Sequence, residues 1–295
     1  MRFSAVGAVS VSLAMSAACA LGCASADAPG SVDAAGAVSA DEVEDRAADP
    51  VGDSAAASEP DLDGVEAASD SAPADAAATP DTTLEPADAL PAETVLSPNQ
   101  VEGYGLDALF TCQPIPDEVF ARMEGVTFPD DCPVTRDELR YLRLVHVDAQ
   151  GRTKVGEMVV NEAIAEDVLE VFRELYEAGY PIERIRLACD YGGDDEVSME
   201  DDNTSAFNCR PIEGTGSQSR HSYGMAVDVN TLYNPYVLQS SWTVLPTTAG
   251  DYVDRSVQTP YTINPDDLCC QLFAERGFTW GGDWIDPKDY QHFEK

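Results

Sequence analysis

Apolar and polar positions alternate along two neighbouring segments, "YLRLVHVD" (141–148) and "KVGEMVVN" (154–161). Alternation with a period of two is typical of a strand that buries one face, and "AQG" between the segments supplies a turn at Gly151. The pattern therefore predicts a β-hairpin. His146 lies on its first strand, and because no ligand spacing surrounds it, we interpret it as a hydrogen-bonded strand histidine.

The period then changes to that of a helix in "EAIAEDVLEVFRELYEA" (162–178). Asn161 can cap the start of this helix, and Gly179 can end it before Pro181. The apolar residues at helical spacing are predicted to be core rather than site: Ile164, Val168, Val171, Phe172 and Leu175.

Three later segments complete the pattern. "IERIRLACDY" (182–191) predicts a short strand, and the polar residues 192–219 predict a long loop, which in a compact domain is usually functional. A second helix is predicted with Asn264 as its cap, Pro265 at its first helical position and Gly277 directly after its last residues. The fold class is therefore α+β, with a small antiparallel sheet and flanking helices over residues 101–295.

The residues before this domain have a different composition. Residues 24–100 are rich in Ala, Asp, Ser and Pro, contain no aromatic residue and carry one basic residue, Arg46. Such a segment buries too little apolar surface to offset its ordering entropy, so we predict a disordered tail that acts as a tether. Its acidic residues are expected to form a solvated spacer, with binding of a cationic partner as the alternative.

Residues 1–23 have the composition of an export signal, with Arg2 followed by a short apolar run that is too short to span a membrane. Cleavage before Cys23 in "ALGC" would leave a lipid-carrying cysteine, as in bacterial lipoproteins, whereas cleavage after "ASA" (24–26) would release a secreted protein. We favour the lipoprotein.

The formal net charge of −37 argues against a nucleic-acid partner, because phosphate binding requires a basic face. An anionic membrane surface would also repel the chain, so a lipid anchor would have to provide attachment.

The cysteines beyond the signal are even in number and, in an exported chain, indicate disulfides. Zinc ligation by thiolates is disfavoured because no C-x-x-C pair occurs among them. We expect Cys189 to pair with Cys209 across the long loop and, as the next choice, Cys112 with Cys132. The adjacent Cys269 and Cys270 stay unassigned.

Candidate metal chemistry begins at "SRHSYGMAVD" (219–228). A catalytic zinc takes three ligands from His, Asp or Glu, and His221 and Asp228 can supply two of them. Small Ala226 shares a strand face with Asp228, and His292 lies three residues after Asp289 in "DYQHFE". Without further information, a histidine and an aspartate this far apart are more often surface or capping residues.

The ordered set of motifs resembles the zinc D-alanyl-D-alanine carboxypeptidases and L-alanyl-D-glutamate endopeptidases that cut peptidoglycan stem peptides. The first motif fits S-x-H-x-x-G-x-A-x-D, and an acidic-x-x-His follows near the end of the chain. The resemblance extends through "VGEMVVNEAIAEDVLEVFRELY", "NTSAFNCR", "NPY" and "GFTWGGDW". It implies a Hedgehog/D,D-peptidase-like fold and Zn²⁺ as the cofactor.

By this resemblance, His221, Asp228 and His292 match the zinc ligands, and Asp289 takes the place of the general base, where many relatives carry glutamate. Arg210 matches the arginine aimed at the scissile carbonyl oxygen or the substrate carboxylate, a task that suits its planar, charged fork.

Three further residues surround this set in the sequence. Ser219 is expected to brace the site by hydrogen bonding, and Asp283 to orient a zinc-bound histidine. "WGGDW", which begins at Trp280, is either a turn packed by two aromatic rings or a wall of the substrate groove.

These inferences predict a zinc metallopeptidase that hydrolyses peptidoglycan stem peptides, foremost as a D-alanyl-D-alanine carboxypeptidase. The alternatives are an L-alanyl-D-glutamate endopeptidase and a non-catalytic cell-wall-binding module on the same fold. We expect a monomer at the outer face of the cell membrane or in the cell wall, anchored through Cys23 or otherwise secreted.

Overall fold

The computed structural model describes residues 84–212 and 217–295. The predicted export signal and the tether up to residue 83 lie outside the described residues. Those that are described belong to one compact unit, which spans Asp75–Lys295. Within them, no helix has the length and apolar character required to cross a membrane.

Helices and strands alternate irregularly along this unit. The helices are α1 (Pro98–Tyr104), α2 (Leu106–Leu109), α3 (Asp117–Met123), α4 (Glu162–Glu177), α5 (Asp195–Glu200) and α6 (Leu268–Glu275). The strands are β1 (Val95–Leu96), β2 (Thr111–Gln113), β3 (Leu139–Val147), β4 (Thr153–Asn161), β5 (Arg184–Ile185), β6 (Asn203–Thr204), β7 (Ala226–Asp228), β8 (Tyr236–Leu238), β9 (Thr243–Leu245), β10 (Thr279–Trp280), β11 (Lys288–Asp289) and β12 (His292–Glu294).

The predicted hairpin forms the centre of the largest sheet. Strands β3 and β4 pair antiparallel along their full length in the order β1-β4-β3-β2. Helix α4 follows β4 directly because the side chain of Asn161 caps it by accepting from the Ala163 N–H. All five predicted apolar positions of α4 are buried, which confirms the predicted helix. His146 is also buried, and its Nδ1 lies 2.7 Å from the Ile182 carbonyl oxygen, as expected of a strand histidine.

The remaining strands are short and form three small sheets. Two are antiparallel, β10-β12-β7 and β11-β8-β9, and they carry the candidate site. The third is the parallel pair β5-β6, so the predicted strand over 182–191 is reduced to two residues followed by a 3₁₀ turn. A mixed fold with small antiparallel sheets is thus confirmed at the level of architecture.

The domain starts earlier than the predicted boundary at Val101. Strand β1 pairs with β4, and Leu90 and Leu96 are buried in the main core. A capping box of Ser97 and Gln100 begins α1 across the predicted boundary. The boundary was placed too late because the acidic composition of the preceding residues masks a few well-separated apolar positions.

The start of the second predicted helix also differs. Helix α6 begins at Leu268, and its cap is Asp267, whose side chain accepts from the Cys269 N–H, rather than Asn264. The Asn264 side chain instead donates to Gln258. The preceding residues therefore form turns and not the first helical turn.

The predicted disulfide pairing was wrong. Cys132 is bonded to Cys209, whereas Cys112 and Cys189 are free. The Cys209 N–H donates to the Thr127 carbonyl, so this part of the long loop lies beside the segment that carries Cys132. Helix α5 occupies the middle of the loop. Because the loop is ordered by this helix, a disulfide between Cys189 and Cys209 is not needed to close it. Cys269 and Cys270, which had no predicted partner, are buried thiols in α6.

Candidate metal centre

A tight turn holds His221 against the end of β4. Ser219 caps a 3₁₀ turn, and its Oγ accepts from the His221 N–H at 3.2 Å. Gly224 ends the turn at φ 65°, and a Cβ there would lie 2.7 Å from the Asn161 nitrogen. The Gly224 carbonyl accepts from the Asn161 N–H at 2.8 Å. Only glycine fits this close approach, so the turn has a fixed position.

Two paired strands supply the other candidate ligands. His292 on β12 lies directly opposite Asp228 on β7 in the antiparallel register. Residues paired in this way project their side chains to the same face of a sheet. Ala226, two residues before Asp228, is fully buried and small enough to leave room beside the carboxylate.

The three side chains converge at short distances. His221 Nε2 lies 3.2 Å from His292 Nδ1 and 3.1 Å from Asp228 Oδ2. His292 Nδ1 lies 2.9 Å from Asp228 Oδ1. One ligand atom from each residue lies within 4.8 Å of the others, as a shared metal ion requires.

The outer nitrogens of both imidazoles determine which atoms face the centre. His221 Nδ1 lies 2.5 Å from the Ala206 carbonyl oxygen, and His292 Nε2 lies 3.3 Å from Glu294 Oε2. Because both partners are acceptors, these outer nitrogens act as donors, and each inward nitrogen can present a lone pair to a metal once it carries no proton. Two lone pairs and a carboxylate brought this close repel one another unless a cation lies between them. The donor set therefore fits Zn²⁺, which prefers His and carboxylate ligands.

The local charges also favour a bound cation. Burial alone would raise the pKa of Asp228. The charges of His221 and His292, and their hydrogen bonds to the carboxylate, instead hold this pKa well below its usual range. Burial alone would lower the pKa of His292, yet its hydrogen bonds to Asp228 and Glu294 raise it to about 10. Without a metal, a proton on His292 therefore lies between its Nδ1 and the ionised Asp228 carboxylate, and zinc would displace this proton on binding.

Asp289 lies next to these residues on β11. Its Oδ1 is buried and has no hydrogen-bond partner among the described residues. Burial raises the pKa of Asp289 to about 6, against the lowering effect of the His292 charge, while Asp228 raises it further. A Cβ on Gly281 would lie 2.6 Å from the Asp289 carbonyl oxygen and 2.8 Å from its Cβ. Asp289 is therefore a tightly packed, buried carboxyl group whose pKa lies above that of an exposed aspartate.

Arg210 lies beside the His221 turn through its backbone. Ser222 Oγ accepts from the Arg210 N–H at 2.9 Å and donates to the Arg210 carbonyl at 2.8 Å. The guanidinium forms an ion pair with Asp195 on α5, which also accepts from Asn208. The long loop that was predicted to be functional thus contains a helix that positions its only candidate catalytic side chain.

The expectation for Asp283 requires correction. Its side chain is exposed, and it lines a groove of about 520 Å³ together with Cys270, on the face of β12 that carries Phe293. His292 and Glu294 project from the opposite face because side chains alternate along a strand. The acceptors that orient the histidines are the Ala206 carbonyl and Glu294.

Trp280 is part of the core, and it also lines the groove that contains Asp283. It is buried, its indole N–H donates to the Tyr290 carbonyl at 2.9 Å, and its ring stacks on Phe293. Trp284, at the other end of "WGGDW", contacts the His292 ring with centroids 5.3 Å apart. The interpretation of this motif as a packed turn applies to Trp280. Trp284 instead lies beside the candidate metal centre.

Sequence reasoning missed Glu294 and Asp195. Glu294 could have been found, because in "HFE" the first and third residues share a strand face. Asp195 gave no usable signal, since it is one of many acidic residues in a polar segment.

Comparison with known proteins is consistent with the site. Searches of curated proteins and of solved structures gave no significant match to the chain. A family model covers residues 213–295, which include His221, Asp228, Asp289 and His292. That family is described as D-alanyl-D-alanine carboxypeptidase, and the match confirms the resemblance recognised in the sequence motifs.

Proposed function

We propose that this protein is a zinc-dependent peptidase that hydrolyses peptidoglycan stem peptides by removing a terminal D-alanine. The observation that carries this proposal is the convergence of His221, Asp228 and His292 beside the buried carboxyl group of Asp289. All four residues lie in the segment that matches the carboxypeptidase family. Metallopeptidase activity is general in that family, and zinc is its typical metal.

The ligand atoms for zinc would be His221 Nε2, His292 Nδ1 and the Asp228 carboxylate. Zinc bound at these atoms would lower the pKa of the attacking water and polarise the scissile carbonyl. Ala206 and Glu294 keep the two histidines in the tautomers that this role requires.

Asp289 would accept the proton of the attacking water and transfer it to the leaving amine. Its unpartnered Oδ1 leaves a lone pair available for this task, and its raised pKa brings the carboxyl group closer to neutrality than an exposed aspartate. A positive metal ion nearby would lower that pKa and favour the ionised, proton-accepting form.

Arg210 would bind the carbonyl oxygen or the terminal carboxylate of the substrate. A guanidinium can donate to Asp195 from one edge and to a second acceptor from another, because its donors are fixed in a planar fork. A substrate that ends in a free carboxylate would gain most from such a contact. This favours removal of a terminal residue over internal cleavage.

Two variants separate metal binding from proton transfer. His292→Ala is expected to lose both zinc and turnover, because it removes a ligand. Asp289→Asn is expected to keep zinc and to lose turnover about 10²–10⁴-fold, because an amide of similar size cannot accept the proton. Zinc content is measured by elemental analysis, and release of D-alanine from a stem pentapeptide by mass spectrometry.

Asp266→Asn is the matched control, since this exposed aspartate lies outside the candidate site. Near-normal turnover in Asp289→Asn would remove this residue from the mechanism, and full zinc occupancy in His292→Ala would overturn the ligand assignment. New ends between L-alanine and D-glutamate would identify an endopeptidase. Zinc binding without turnover of any stem peptide would indicate a binding module.

We further propose that the enzyme acts outside the cytoplasm and is held to a membrane through lipid on Cys23. The export-signal composition of residues 1–23 and the "ALGC" motif support this proposal. Cys23→Ser should move the protein from the membrane fraction to the soluble fraction of cells. Unchanged membrane association would exclude anchoring at this cysteine.

A further inference from the structure

Two exposed apolar residues, Trp242 and Ile285, lie on adjoining segments beside the candidate metal centre, and we call this pair the stripe. Trp284 contacts the ring of His292, and the next residue, Ile285, has 90% of its surface exposed. Asp286 then accepts from the Gln239 N–H at 2.8 Å, which attaches the tip of the β8-β9 hairpin to this segment. The same tip carries Trp242, which is 74% exposed.

Strand pairing connects the stripe to Asp289. Strand β11 pairs with β8, with Asp289 opposite Tyr236, and β8 pairs with β9 to form the hairpin. At the base of the hairpin, the Thr247 N–H donates to Glu196 on α5, the helix whose Asp195 holds Arg210. The hairpin therefore links the candidate base to the helix behind the candidate arginine.

The large exposed fractions of the Trp242 and Ile285 side chains are unusual for apolar residues. Trp242 and Ile285 are the two most exposed large hydrophobic residues in the part of the chain that the structure describes. Single exposed apolar residues are ordinary, but two on adjoining segments beside a catalytic site indicate a contact surface. Exposed tryptophan is a strong contributor at such surfaces because its large ring loses little conformational entropy on binding.

The charged groups beside the stripe indicate which class of ligand it can bind. Asp286 lies directly after Ile285, and the chain carries a strong negative charge, which disfavours an anionic bilayer. Tryptophan beside a short carboxylate suits a sugar polymer, since the indole covers the C–H face of a pyranose ring and the carboxylate accepts hydrogen bonds from hydroxyl groups. The glycan strand that carries the stem peptides in peptidoglycan has this chemistry.

We propose that Trp242 and Ile285 bind the glycan strand of peptidoglycan while a stem peptide enters the metal centre. This inference rests on the proposed function, and it makes the polymer, rather than a free peptide, the preferred substrate. The stripe increases the local concentration of stem peptides at the site without contacting the scissile bond.

The test compares two substrates in the full-length, zinc-loaded protein. In the double variant Trp242→Ala/Ile285→Ser, turnover of intact peptidoglycan sacculi is expected to fall about tenfold more than turnover of a soluble stem pentapeptide. Co-sedimentation with sacculi should show a similar loss of affinity. Val257→Ala is the matched control, because this exposed valine lies outside the stripe.

Equal losses on both substrates, or unchanged co-sedimentation, would overturn the proposal. A change of oligomeric state in the double variant would also overturn it and assign the stripe to contact between copies of the chain. If the wild-type protein cleaved neither substrate, the proposed peptidase function would fail, but co-sedimentation would still decide whether the stripe binds the polymer.

Discussion

Gly281 lies where a side chain would displace the candidate base. Its missing Cβ leaves room for both the carbonyl and the Cβ of Asp289, and the His292 Cβ would be 3.3 Å away. Gly281→Ala should therefore shift Asp289 and lower turnover by about 10²-fold, since small misplacements of a catalytic group are costly. Steady-state kinetics with a stem pentapeptide measure the effect.

The control for this prediction is Gly250→Ala, because a Cβ at Gly250 meets no atom within 4 Å. It should leave both turnover and thermal stability close to wild type. A Gly281→Ala protein with unchanged kcat would show that Asp289 tolerates displacement and would weaken its assignment as the base.

Glu294 determines the tautomer of His292 without contacting the metal position. Glu294→Ala is expected to weaken zinc affinity about 10–100-fold, as is typical for the loss of a hydrogen bond to a ligand histidine. Glu294→Gln should recover part of that affinity because its amide oxygen can still accept the Nε2–H. Titration against a competing chelator gives the affinities.

Glu118→Ala serves as the comparison, since this exposed residue of α3 lies outside the candidate site. Equal zinc affinity in Glu294→Ala and wild type would mean that the His292 tautomer does not depend on this contact.

The family resemblance predicted which side chains could meet at a metal, but not the contacts that hold them. His221, Asp228 and His292 carry donor types that zinc prefers, and the structure brings them together. Asp283 was chosen because it is a nearby carboxylate in the sequence. The structure instead uses a backbone carbonyl and Glu294, because strand alternation and a turn determine which groups reach the imidazoles.

Strand β1 makes the segment before residue 101 part of the folded unit. A fragment that starts at residue 101 loses the burial of Leu90 and Leu96 and exposes the edge of β4. Each buried leucine contributes about 1.5–3 kcal/mol, so this fragment should unfold with a free energy roughly 3–6 kcal/mol lower than one that starts at residue 84.

Urea denaturation of the two fragments measures that difference. The fragment that starts at residue 84 is the control for removal of the tether, and it should match the mature chain. If the two fragments had equal urea midpoints, residues 84–100 would contribute nothing to stability, and the domain boundary would return to Val101.

Long periodic elements were predictable, whereas short ones were not. The β3-β4 hairpin and α4 bury a continuous face, so their sequence pattern extends over many residues. Strands of two or three residues, such as β11 and β12, contain too few positions to show a period. Their pairing depends on tertiary contacts, which is why the sheets that carry the site could be placed only from the structure.

A buried ionic cluster connects the N-terminal segment to the central hairpin across the domain. Glu93 lies 3.3 Å from Lys154 Nζ and 3.5 Å from His146 Nε2, and both basic residues are buried. Burial alone would raise the pKa of Glu93, but the hydrogen bond with His146 and the charges of His146 and Lys154 lower it below its usual value.

This lowered pKa makes stability depend on pH. A carboxyl group with a depressed folded pKa contributes stability that is fully present above its unfolded pKa of about 4.3 and is lost as pH falls through the folded value. The free energy of unfolding should therefore decrease below about pH 4.3. In Glu93→Gln this component of the decrease should be absent, and stability at pH 7 should be about 1–2 kcal/mol lower.

Chemical denaturation of wild type and variant between pH 3 and pH 7 provides the comparison. Parallel pH profiles for the two proteins would show that Glu93 titrates alike in the folded and unfolded states. Glu118→Gln is a suitable control because that glutamate is exposed.

His292 on β12 and Asp228 on β7 are paired and would bind the same metal. A bound metal would therefore also fix the register of β12 against β7. A slip of β12 by one residue would move the His292 side chain to the opposite face of the sheet and place Phe293 opposite Asp228. A metal that binds only the native register would therefore suppress local opening of the β10-β12-β7 sheet. Amide hydrogen exchange in residues 226–228 and 292–294 should slow on zinc addition, while exchange in the β3-β4 hairpin stays unchanged.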